Sequence, residues 1–60
     1  MNVNELVEVL TSKMDAFQKE ANAHAGKGNK AAGRRARKVS LEIANLLKEY
    51  RAATIAADKE

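Results

Sequence analysis

The sequence contains no cysteine, no proline and no tryptophan. Without cysteine there is no disulfide to staple a small fold and no thiolate to bind a metal. Without proline nothing interrupts a helix covalently. Phe17 and Tyr50 are the only aromatics, too few for a platform on which single-stranded bases stack. His24 is the only histidine, so a metal site would need several chains. No apolar run approaches the roughly 20 residues that span a bilayer. The opening MNVNELVEVL lacks the basic region, apolar block and small-residue cleavage site of a secretory leader. The expected setting is therefore the soluble cytoplasm, with no membrane partner.

What is present is mostly helix former. Ala, Leu, Glu, Lys, Arg, Gln and Met dominate, which reads as an all-α chain. Sixty residues allow one small domain, 1–60. A chain this short buries only about 60% of the surface that its unfolded form exposes, so it is marginal alone.

All three glycines fall in one stretch, Gly26 to Lys38, with sequence GKGNKAAGRRARK. The charge is concentrated there too. Residues 1–26 carry four acids and two bases, for −2. Residues 27–38 carry six bases and no acid, for +6; residues 39–60 carry four acids and three bases, for −1. The whole excess of a +3 chain thus sits in one fifth of it. That distribution points to an anionic polymer as partner rather than to general solubility.

Before this stretch, Val3, Val7, Leu10, Met14, Phe17 and Ala21 recur at heptad steps, with Leu6 widening the stripe and His24 next in line. This predicts a helix over about 4–25, capped by Asn2 or Asn4. Gly26 suits the left-handed residue after a helix end, and Asn29 the cap of a second helix. A turn at 26–29 is preferred to one continuous helix, in which two glycines would cost about 2 kcal/mol. The second helix is expected over about 30–58, with a seam of Ala32, Ala36, Val39, Ile43, Leu46, Tyr50, Ala53 and Ala57. Gly33 falls off that seam. A short turn makes the helices antiparallel neighbours. The expected architecture is an antiparallel two-helix hairpin that dimerises into a four-helix bundle.

At 100° per residue Lys30, Arg34, Arg37 and Lys38 oppose the second seam, with Arg35 at its margin. Together with Lys27 they form the candidate nucleic-acid-binding set. Leu41 and Ile55 also point outward, which suggests a second contact surface. First-turn amides near Lys30 to Gly33 could add phosphate contacts. Other readings are weaker. Gly28 to Gly33 has the glycine spacing of a phosphate-binding loop, but Arg34-Arg35 replaces its Lys and Ser/Thr and no strand precedes it. Ser40 follows Arg37-Lys38-Val39, which a basophilic kinase could accept; a helix-surface serine is the plainer reading. No catalytic set or cofactor loop can be assembled, so the chain reads as a non-enzyme with no cofactor and no small-molecule substrate.

The second half resembles a known family. Gly28-Asn29-Lys30-Ala31-Ala32, then Arg35, Arg37 and Ser40, then Lys48-Glu49-Tyr50-Arg51 and Ile55-Ala56-Ala57 resemble the core of the bacterial linker-histone-like nucleoid proteins, typified by the chlamydial histone-like type. The resemblance covers about half the chain. It implies DNA binding and nucleoid condensation without enzymatic activity. The chlamydial members continue into a Lys/Ala-rich tail that is a main DNA-binding element there, whereas this sequence ends at Glu60. The basic patch is then expected to carry binding, through oligomerisation.

The favoured expectation is a sequence-nonspecific, nucleoid-associated protein that holds duplex DNA through Lys27, Lys30, Arg34, Arg35, Arg37 and Lys38. RNA stays open as a ligand, since nothing in the patch would sense a 2′-hydroxyl. The alternative is a helical interaction module whose basic tip docks an acidic protein.

Overall fold

A computed structural model describes residues 1–59. Two helices, α1 (Val3–Lys27) and α2 (Lys30–Asp58), pack side by side in an elongated body of 48 × 15 × 13 Å. No strand occurs among the described residues.

Each helix begins at an asparagine. The Asn2 side chain accepts from the Glu5 amide at 2.8 Å, and the Glu5 carboxylate accepts from the Asn2 amide at 3.3 Å. This reciprocal pair satisfies two donors that a helix start leaves over. Asn29 caps α2 by accepting from the Ala32 amide at 3.1 Å.

The turn is shorter than the expected 26–29. Gly26 is helical, and Gly28 is the residue that turns left-handed, with φ of 67°. Its amide donates to the His24 carbonyl at 2.9 Å, and the Asn29 amide reaches the Ala23 carbonyl at 3.4 Å. These bonds use up carbonyls at the end of α1. The cause lies in these bonds: with Gly28 left-handed, its amide and that of the Asn29 cap both close back onto α1, so one glycine ends α1 and delivers the cap of α2 with no further linker residue.

The packed face of α1 is rotated by about one residue from the apolar stripe. Leu6, at 2% exposure, and Leu10 are buried, whereas Val7 and Met14 stay 45% and 46% exposed. Phe17 and His24 stay exposed, and the covered positions beside Leu6 and Leu10 include Lys13 and Glu20. Both are matched across the interface: Lys13 Nζ lies 2.6 Å from a Glu42 oxygen, and Arg35 pairs with Glu20. The Lys13 hydrogen bond and charge hold the Glu42 carboxyl below its ordinary range, with Lys38 adding to the effect. Polar residues enter the seam because their partners are waiting on the other helix.

In both ion pairs the residue numbers sum to 55. In that register Val3 faces residue 52, so the last turns of α2 run past the end of α1. Ala32 and Ala36 are buried and Val39, Ile43, Leu46, Tyr50 and Ala53 half-buried. Ala57, the last expected seam residue, is exposed because nothing of α1 reaches it.

Gly33 is also corrected, from an off-seam residue to a buried one. The His24 ring lies against it: a Cβ added at Gly33 would stand 2.6 Å from His24 Cδ2. Gly26 has open space around it. Gly26→Ala is therefore expected to raise stability by about 1 kcal/mol, the usual helix difference. Gly33→Ala should gain less, since the ring must leave its place. In the His24→Ala background it should recover the full gain. Denaturant midpoints of the four variants measure this; equal gains at both glycines in the His24 protein would show that the ring does not press on α2.

Candidate nucleic-acid interface

The six candidate cations gather at the turn end of the hairpin. Lys27 closes α1, Lys30 opens α2, and Arg34, Arg35, Arg37 and Lys38 follow on the next two turns. All six are exposed. They do not share one state. Arg35 is held sideways by Glu20, whose side chain is largely covered. Among the described residues Lys27, Lys30, Arg34, Arg37 and Lys38 have no carboxylate within ion-pair distance.

Lys27 ends α1 and the other four lie on the outer side of α2, with Arg37 at its edge where it also lines the groove between the helices. Lys30, Arg34, Arg37 and Lys38 fall within about 100° of one another around α2. From Lys30 to Lys38 is about 12 Å at 1.5 Å per residue. A duplex carries one charge per about 1.7 Å of axis, so this row lies along about seven phosphate charges. It can neutralise a stretch of backbone without entering a groove. No carboxamide follows Asn29 within the patch, so no side chain there is suited to reading adenine.

The start of α2 reinforces the positive field. Its first turn holds no acid, leaving the positive end of the helix dipole uncompensated. Its amides are less available than expected. The Ala32 amide is taken by the Asn29 side chain, and the Gly33 amide donates to the Asn29 carbonyl at 3.1 Å. Only the Lys30 and Ala31 amides are left to face an anion. The helix start thus offers an anion two free amides and an uncompensated dipole.

Sequence reasoning missed Glu20, His24 and Gly33 as the parts that set the tip. Glu20 fixes Arg35, and the His24 ring fills the space over Gly33. Beside them a groove of about 360 Å³ opens between the helices, lined by Phe17, Ala21, His24, Gly33, Ala36 and Arg37 among others. Its walls are mainly apolar. Nothing in α1 alone signals these contacts, because each depends on the register between helices. The Ser40 hydroxyl donates to the Arg37 carbonyl at 2.6 Å, an ordinary bond for a helix serine. Among the described residues no cluster of metal-ligating side chains occurs and no helix is long and apolar enough to cross a membrane.

In a comparison with known families, the family model described as Histone H1-like protein Hc1 matches residues 4–60. No curated protein and no solved structure matches the chain.

Proposed function

Because the chain belongs to the Histone H1-like protein Hc1 family, we propose that it is a sequence-nonspecific DNA-binding protein of the bacterial nucleoid. It organises duplex DNA through the basic tip of its hairpin. The observation that supports this reading most is the row of Lys27, Lys30, Arg34, Arg37 and Lys38, exposed together and without carboxylate partners among the described residues. Such a row binds by displacing counterions from phosphates. Arg35 adds charge while its pair with Glu20 keeps it in place. The protein acts as a homodimer, a four-helix arrangement that doubles the patch.

The direct test is a titration of labelled random-sequence duplex DNA at several salt concentrations. Each phosphate contact adds about −0.9 to the slope of log affinity against log salt, so five contacts give about −4.5. Competition by duplex RNA then ranks the two polymers. A chain that binds no duplex at low salt would overturn the proposal and leave the tip as a dock for an acidic protein.

A further inference from the structure

The two long edges of the hairpin differ. One carries both ion pairs, Lys13–Glu42 and Glu20–Arg35. The other carries the groove beside Phe17 and Ala21. Along that second edge α1 presents Val7, Thr11, Met14, Gln18, Ala21 and Ala25, spaced 4, 3, 4, 3 and 4. This is a second complete heptad seam, adjacent to the one that packs on α2, and it holds no charged residue.

We infer that this edge is the interface with a second copy of the chain, and that the two copies run antiparallel. The inference rests on the homodimer proposed above and names its face and direction.

Area comes first. A folded monomer of 6.5 kDa exposes about 3,800 Å², whereas this chain exposes 4666 Å². The excess is about 850 Å², close to the roughly 800 Å² that each partner buries in a stable interface. Val7 and Met14 sit where it would be removed, and an isologous contact covers the same patch on both copies.

Charge gives the direction. A parallel pair would set two +6 tips side by side. An antiparallel pair sets each tip at the far end of its partner, near segments of −2 and −1. With Met14 on the two-fold axis, Val7 of one copy faces Ala21 of the other, so a branched side chain enters the groove where a small one leaves room. The result is a rod with a basic tip at each end.

Sedimentation equilibrium without DNA tests the face. The natural chain should be a dimer and Met14→Glu a monomer, with Met14→Leu and the outward-facing Leu41→Glu still dimeric. A spin label on Lys27→Cys tests the direction in the natural background, with no dependence on how Met14→Glu folds. Lys27 lies 13 residues from Met14, so antiparallel labels should be about 40 Å apart and parallel ones under about 20 Å. A monomeric natural chain overturns the homodimer itself. A dimeric Met14→Glu overturns the face, and a short label distance overturns the direction. None of these outcomes bears on DNA binding by the single tip, so the two readings fail separately.

Discussion

Replacing Lys30, Arg34 and Arg37 together with glutamate should remove measurable binding to random duplex DNA while leaving the hairpin folded. The three reversals take the tip from +6 to zero. Three lost phosphate contacts flatten the salt slope by about 2.7 and lower affinity by at least about 100-fold at physiological salt. The choice of residues matters. Among the described residues none of the three belongs to an ion pair, whereas Arg35→Glu would set a carboxylate against Glu20, and Lys38→Glu would remove a cation that acts on Glu42. Along α2 the 30/34 and 34/37 pairs stay like-charged and 34/38 becomes an opposite-charge pair, so the helix loses nothing. Glutamate at position 30 also suits the start of a helix. Far-UV circular dichroism should be unchanged. Retained affinity with retained helicity would take the tip out of DNA binding.

Leu6→Ala should unfold much of the chain at 25 °C. Truncating a buried leucine costs about 2–5 kcal/mol. A domain of this size holds only about 3–5 kcal/mol from its core, and among the described residues Leu6 and Leu10 are the large side chains that are buried. Leu41→Ala, at a position 69% exposed, should change stability by no more than about 0.5 kcal/mol. The pair of variants also tests the rotation of α1. If Leu6→Ala is as mild as Leu41→Ala, the inner face is not the one through Leu6.

Much of the fold could be read from the residues. Helix formers without proline gave two long helices, and Asn29 marked the start of the second because its side chain can accept an amide there. The clustering of Lys27 through Lys38 followed from composition. The outward placement of Leu41 and Ile55, at 69% and 59% exposure, followed from the angle per residue.

The rotation of α1 did not follow. Residues 3–24 support two neighbouring heptads, one apolar from Val3 to Ala21 and one containing Lys13 and Glu20. Periodicity favours the apolar one. The hairpin takes the mixed one, which buries Leu6 and Leu10 and sets Lys13 and Glu20 level with Glu42 and Arg35 on α2, and that match is information about pairs and not about either helix. The same holds for the tip. That Arg35 is occupied and Arg37 is not depends on where Glu20 falls across the interface. That Gly33 is buried depends on His24. Residue type announced a cationic tip, while the division of labour within it came from packing.

The two-residue turn also bears on how the chain folds. His24 and Gly33, which meet beside the turn, are only nine positions apart, and each further pair along the hairpin encloses the one before it. Closing so short a loop takes well under a microsecond. Contacts so close in sequence lose little chain entropy before they form, the condition under which small helical proteins fold fastest. The hairpin is therefore expected to assemble from the turn outward, with the basic end taking shape before the Leu6 end is covered. A nascent chain that has only half zipped would already present the surface proposed to meet DNA.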